Sequence, residues 1–119
     1  MSLLEYFNNS GFKLIKKTIS DVFKDFEYQY EKNDVIFYFV RDKFEIFLDL
    51  KNKKGKERIT LPLLYNSDEL FSEEKILFLL SNEEESIMSK IKRMSDEQIL
   101  KIKKESVERY LGIKLPDQV

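Results

Sequence analysis

Two carboxylates on one predicted strand come closest to an enzyme-like pair in this sequence. Glu45 and Asp49 lie four residues apart in a stretch where apolar and polar residues alternate, so both project from the same face of a strand. Paired carboxylates can hydrolyse a glycosidic bond or hold Mg²⁺. The chain has 22 acidic residues, however, so such pairs arise from composition alone. We interpret both residues as the polar face of a half-exposed strand and keep a carboxylate-dependent hydrolase as an alternative.

The side chains that most often perform catalysis near neutral pH are missing. The sequence has no His and no Cys, which excludes Ser-His and Cys-His pairs, zinc sites built on Cys, and disulfides. The three glycines are isolated and form no phosphate-binding loop. The acidic residues do not show the spacing of an EF-hand. These observations predict a non-enzymatic protein with no catalytic residues, no cofactor and no bound metal ion.

An acidic stretch covers residues 68–85, which hold seven acidic residues and a single Lys. Three consecutive glutamates near its end are typical of a helix N-terminus, where negative charge is favourable. The stretch as a whole predicts an acidic surface. We assign Glu73, Glu74 and Glu84 as candidate partner-binding residues, because acidic side chains accelerate association with a basic partner.

The strand that carries Glu45 and Asp49 adds one apolar candidate. Phe47 is the one apolar residue on the otherwise charged face of this strand. It is therefore either covered by a helix or held out for a partner, and exposed aromatic residues are common anchors in interfaces. Phe47, Glu45 and Asp49 complete the candidate partner-binding set.

A basic turn at residues 51–58 supports an alternative function. It concentrates four Lys and one Arg between two predicted strands: Lys51, Lys53, Lys54, Lys56 and Arg58. Such a turn could contact phosphates in a nucleic-acid-associated or phage-encoded regulatory module. Charged tips of this kind also discourage pairing between sheet edges. The net charge of −1 provides no general attraction for nucleic acid, so we disfavour this partner.

The scaffold that positions these residues begins with two predicted helices. Residues Leu3, Leu4 and Phe7 have helical spacing, and the polar residues 8–11 would end that helix. A second helix is predicted from apolar residues that recur every three or four positions, namely Phe12, Ile15, Ile19, Val22, Phe23 and Phe26.

The middle of the chain, from about residue 27 to 64, changes to a period of two, which predicts an antiparallel meander of four strands. Residues 35–40 are apolar on both faces and therefore predict an interior strand. In the next strand we expect Phe44, Ile46 and Leu48 to face the core. Pro62 lacks a backbone N–H, which places the fourth strand at an edge.

Three C-terminal helices follow from their capping residues. Ser72 begins a helix over residues 72–80, and Ser81 with Glu84 forms a predicted capping box for residues 83–94. Ser95 begins the third, over residues 96–111, with Gly112 as its stop. The predicted fold is a single α+β domain over residues 1–119: a four-stranded antiparallel meander with N-terminal helices and three C-terminal helices packed on one face.

With enzyme and cofactor classes disfavoured, the sequence predicts a protein-binding domain. No segment resembles a signal peptide or is long and apolar enough to span a membrane, so we expect a cytoplasmic protein without membrane contacts. Abundant Lys, Ile and Asn with no Ala match the codon usage of an AT-rich bacterial or phage genome. Small bacterial domains of this size and charge include immunity proteins, which neutralise a toxin. By this analogy the expected partner is another protein, such as a toxin.

Overall fold

The computed structural model describes residues 1–20, 22 and 24–116. Its five strands form one antiparallel sheet in the order β1-β2-β3-β4-β5, which confirms the α+β class and the meander and adds one strand. The elements in chain order are α1 (Leu3–Asn9), β1 (Lys13–Ile19), β2 (Phe26–Lys32), β3 (Val35–Asp42), β4 (Glu45–Asn52), β5 (Ile59–Thr60), α2 (Leu61–Leu64), α3 (Glu73–Arg93) and α4 (Asp96–Leu111).

The interior strand is β3, as its apolar sequence predicts. Phe37 pairs with Tyr30 of β2 and with Leu50 of β4, and all three side chains are buried. Tyr38, which projects from the other face, is buried as well. We call the sheet face that carries Phe37 the inner face and the face that carries Tyr38 the outer face. Because a strand that is buried on both faces needs apolar residues at successive positions, β3 lacks the alternation of its neighbours.

The second N-terminal helix predicted from residues 12–26 is wrong, because this segment contains β1. Ile15, Thr18 and Ile19 are β-branched and favour a strand. The pairing of β1 with β2 shifts register between Leu14 and Lys16, so one extra residue interrupts the alternation and imitates a helical period. Phe23, which contributed to the helical pattern, lies outside the described residues.

Helices α1 and α3 cover the inner face. Phe7 of α1 is fully buried and stacks on Tyr30, with ring centroids 4.6 Å apart and planes 8° from parallel. Its ring also contacts Phe37 edge-on. Helix α3 adds the buried residues Ile76 and Leu80 to the same core. Stacked and edge-to-face aromatic pairs stabilise such a core beyond the burial of their area.

Helix α3 replaces two predicted helices. Ser72 caps its start as expected, but the helix continues through Glu83, whose φ of −131° marks a kink. The predicted capping box of Ser81 and Glu84 is wrong, since the Glu84 side chain binds Tyr6 and Lys32. Buried residues continue along one side of the helix beyond the kink, at Ile87, Met88 and Ile91, and this burial keeps both halves against the core.

The last helix agrees with its sequence signals, whereas the fourth predicted strand is only partly correct. Strand β5 lies at the edge as predicted but has only two residues, because residues 61–64 of the predicted meander instead form α2, with Pro62 in its first turn. Helix α4 is capped by Ser95 and Gln98 and ends at Gly112, whose φ is +68°. The Asp96 carboxylate accepts hydrogen bonds from the backbone amides of Lys56 and Glu57, which ties α4 to the β4–β5 loop.

Two phenylalanines give a matched test of the core. Phe7 is fully buried, whereas Phe44 is 80% exposed, so its predicted place in the core is wrong. Phe44 has a φ of +73° because it lies in the β3–β4 turn, while Leu48 is buried as predicted.

Phe7→Ala should cost about 3–5 kcal/mol of unfolding free energy, and Phe44→Ala about 0.5 kcal/mol or less. Urea melts measure both; equal losses would contradict the assigned core.

Candidate protein-binding surface

The outward side of α3 follows from the packing of its inward side. Residues 76–80 form a continuous apolar run that occupies more than one helical turn. Ile76, Leu79 and Leu80 are spaced by three and four residues and are buried against the sheet. The same spacing turns Phe78 away from the core, and its side chain is 66% exposed.

Acidic residues lie before and after this exposed ring along the helix. Glu74 precedes Phe78 by four residues, which places both side chains along one stripe, and Glu85 is exposed beyond the kink at Glu83. Glu73 lies at the N-terminal border of the stripe. In the part of the chain that the structure describes, no hydrogen bond or ion pair engages the carboxylates of Glu73, Glu74 or Glu85. We refer to Glu73, Glu74, Phe78 and Glu85 as the α3 surface.

Glu84 does not belong to this surface, although it is one of the predicted binding residues. Its carboxylate accepts a hydrogen bond from the Tyr6 hydroxyl at 2.8 Å and forms an ion pair with Lys32 Nζ at 2.9 Å. Lys32 also donates to the backbone carbonyl of Ser10 at 2.7 Å. Burial, followed by the hydrogen bond to Glu84, raises the pKa of Tyr6. The half-buried Glu84 therefore joins α1, β2 and α3 to one another.

Two other members of the predicted acidic stretch also have internal partners. Asp68 receives two hydrogen bonds of 2.8 Å from the guanidinium of Arg109 and one from Ser106. The hydrogen bonds from Arg109 and then Ser106 lower the pKa of Asp68 to about 2. Glu83 accepts a hydrogen bond from the Tyr65 hydroxyl at 2.8 Å. Fewer acidic side chains are therefore available to a partner than the sequence suggests, and most of these side chains lie on α3.

The predicted carboxylate pair is divided between two environments. Asp49 is half-buried on the outer face, next to Tyr38 on β3, whereas Glu45 is exposed. Four residues of strand separate their Cα atoms by about 13 Å. Glycosidases hold their two carboxyl groups about 5–9.5 Å apart. The geometry therefore provides no support for a hydrolytic pair at these positions.

Asp49 instead belongs to a polar cluster around Tyr38. The Arg58 guanidinium lies 3.6 Å from the Tyr38 ring centroid and donates to the Glu27 carboxylate at 3.1 Å. Burial raises the pKa of Asp49, while the charge of Arg58 and a hydrogen bond from Thr60 act in the opposite direction. This cluster lets polar side chains cover the outer face of the central strand, which explains how Tyr38 is buried there.

Phe47 projects from the same outer face, opposite Val40 of β3, and is half-buried. It is not part of the core formed by α1, α3 and the inner face. It offers less accessible aromatic area than Phe78, which sequence analysis did not single out. The sequence nevertheless indicated that one residue of the apolar run at residues 76–80 is exposed, because five successive apolar residues on a helix cannot all face one side.

The basic turn makes several contacts within the protein. Lys51 donates to the carbonyl of Gly55, Lys53 forms an ion pair with Glu31 at 3.0 Å, and Arg58 binds Glu27. The Asp96 carboxylate lies against the same loop. These acidic neighbours reduce the positive charge that the turn presents to a phosphate backbone.

The described residues contain no group of three or more side chains placed to hold a metal ion. None of the helices in the described part of the chain is long and apolar enough to cross a membrane. Comparisons with protein-family models, curated proteins and solved structures find no significant match.

Substitution of two adjacent glutamates on α3 shows which of them contributes to the stability of the fold. Glu84→Lys places a cation beside Lys32 and removes the acceptor for Tyr6, so it should lower the unfolding free energy by about 2–4 kcal/mol. Glu85→Lys changes the same charge at an exposed position and should alter it by about 0.5 kcal/mol or less. Urea denaturation of both variants is the measurement. A loss at Glu85 as large as that at Glu84 would contradict the assignment.

The environment of Asp49 predicts a pH dependence of stability. Because its pKa is raised in the folded protein, Asp49 contributes most favourably below its unfolded pKa of about 3.9. This contribution is lost as the pH rises through the folded pKa. The stability of wild type relative to Asp49→Asn should therefore increase from neutral to acidic pH. Urea melts across this range test the sign; a decrease for Asp49→Asn would contradict it.

Proposed function

We propose that this protein is a non-enzymatic, cytoplasmic protein-binding domain that neutralises a basic partner protein, such as a toxin, by covering it with the α3 surface. The observation that carries the proposal is the exposed ring of Phe78, with Glu74 one helical turn before it and the exposed Glu85 beyond the kink. A soluble protein gains no stability from an aromatic side chain in this position. The same side chain becomes an effective anchor once a partner buries it.

The packing of α3 adds to the suitability of this surface. Its opposite side is buried at Ile76, Leu80 and Ile87, and the Glu84 cluster ties it to α1 and β2. The helix therefore presents Phe78 from a fixed backbone. A binding surface that is ordered before association loses less conformational entropy when the complex forms.

The charge of the α3 surface indicates the chemistry of the partner. Glu73, Glu74 and Glu85 form no ion pairs within the described residues, so their charge is directed to solvent. An acidic surface speeds encounter with a basic one and disfavours acidic competitors. Proteins that act on nucleic acids present basic clefts. A nucleic-acid-degrading toxin is thus a suitable target, and occupation of its cleft would block its substrate.

The anchor is tested with a matched pair of aromatic variants. The first candidate partner is the product of the adjacent gene, since immunity and toxin genes are commonly neighbours. Phe78→Ala should weaken binding by about 30-fold or more, which corresponds to a hot spot of about 2 kcal/mol. Phe44→Ala removes a ring that is even more exposed, from the β3–β4 turn, and should leave the affinity unchanged. Biolayer interferometry measures both constants.

Charge reversal tests the contribution of the acidic residues separately. Glu74→Lys and Glu85→Lys should lower the association rate constant and make it less sensitive to salt, whereas Glu45→Lys on β4 should not. Unfolding free energies should remain close to wild type in all three. If both α3 reversals and Phe78→Ala bind and protect like the parent, the α3 surface is not the binding site. If the adjacent gene product does not bind the parent protein, the neutralising role is contradicted for that partner.

A further inference from the structure

The two edges of the sheet are protected very differently. At one edge, β5 has only two residues and leads directly into α2, whose Pro62 interrupts any continued pairing. At the other edge, β1 has seven residues and, within the described part of the chain, pairs with β2 alone. Alternate residues of such a strand direct their N–H and C=O groups away from the sheet. The long edge therefore offers a template for an additional strand.

The side chains of β1 are also open to solvent. All seven residues are exposed, so none of the residues that the structure describes covers this strand. Three of the seven are large and apolar, and each is about half exposed: Leu14, Ile15 and Ile19. An edge that is protected only against aggregation would be expected to be polar throughout. The combination of free backbone groups and apolar side chains is typical of a surface that receives an extended peptide.

The charge of β1 indicates which kind of strand could pair with its open edge. The strand carries Lys13, Lys16 and Lys17 and no acidic residue. In a full-length antiparallel pair between two copies, Lys16 would lie opposite Lys16 of the second copy, and like charges placed directly opposite each other are destabilising. A second copy is therefore disfavoured. A strand that is acidic at alternate positions would instead place carboxylates beside Lys13 and Lys16, which share the outer face.

We propose that the free edge of β1 binds an extended segment of another protein, in which acidic residues alternate with apolar ones, as a sixth strand of the sheet. Backbone hydrogen bonds to β1 supply part of the affinity, and contacts with Leu14 and Ile19 add apolar burial. Lys16 and Thr18 project from the outer face, with Leu14, Lys17 and Ile19 on the inner face. The register shift before Lys16 leaves residues 16–19 as the regular run in which pairing is centred.

The probe is a synthetic seven-residue peptide that alternates Glu with Val. Two control peptides have the same length: one carries Lys in place of Glu, and the other is N-methylated at alternate amides so that it cannot pair with a strand. The expected result is binding of the Glu peptide together with slower hydrogen exchange of β1 amides, measured by NMR on the full chain. The Lys peptide and the N-methylated peptide should bind at least about tenfold more weakly.

A double variant tests the role of charge without altering the backbone. Lys13→Glu with Lys16→Glu, both on the outer face, should reverse the preference, so that the Lys peptide binds better than the Glu peptide, while Phe78→Ala should leave peptide binding unchanged. Urea melts confirm that the variants are folded. Equal binding of the N-methylated peptide would show attraction by charge alone and would overturn the proposal. Failure of the Glu peptide to bind, or dimerisation through β1 in sedimentation experiments, would overturn it as well.

Discussion

Burial of Phe7 against the aromatic inner face of the sheet is the interaction on which the arrangement of the other elements depends. The ring of Phe7 stacks on Tyr30 of β2 and contacts Phe37 of β3, so α1 is fixed across the two strands. The neighbouring Tyr6 then reaches Leu80 and Glu84 of α3 through its hydroxyl group. Because α1 fixes both the sheet and α3, it also determines which side of α3 faces solvent.

This dependence explains why a short helix has large consequences for the candidate binding surface. Seven residues would be a marginal helix in isolation, and tertiary contacts rather than propensity stabilise it. Once α1 and the sheet hold Ile76 and Leu80, the helical period leaves Phe78 no place in the core. The exposed aromatic side chain is thus a geometric result of the packing on the opposite side of the helix.

The spacing of apolar residues and the capping residues predicted the parts of the fold in which each side chain clearly faces either the core or solvent. These patterns located β2, β3 and β4, the capping of α4 by Ser95, and its termination at Gly112. They failed at β1, where a register shift breaks the alternation, and at Glu84, where long-range partners compete with a local cap. For the proposed binding surface, the acidic stretch of the sequence indicated Glu73 and Glu74 on α3 but not Phe78. Phe78 can be recognised as an exposed residue only when the buried side of α3 is known.

The near-zero net charge conceals a division of charge between the exposed acidic residues of α3 and the lysines of β1. The central claim is that α3, through Phe78, forms the surface that contacts the partner. NMR chemical-shift mapping of the isotopically labelled protein during titration with the adjacent gene product tests it most directly. The account predicts that the largest shifts cluster on Glu74, Phe78 and Glu85. Shifts confined to the outer face around Phe47 and Asp49, or to the turn at residues 51–58, would contradict it.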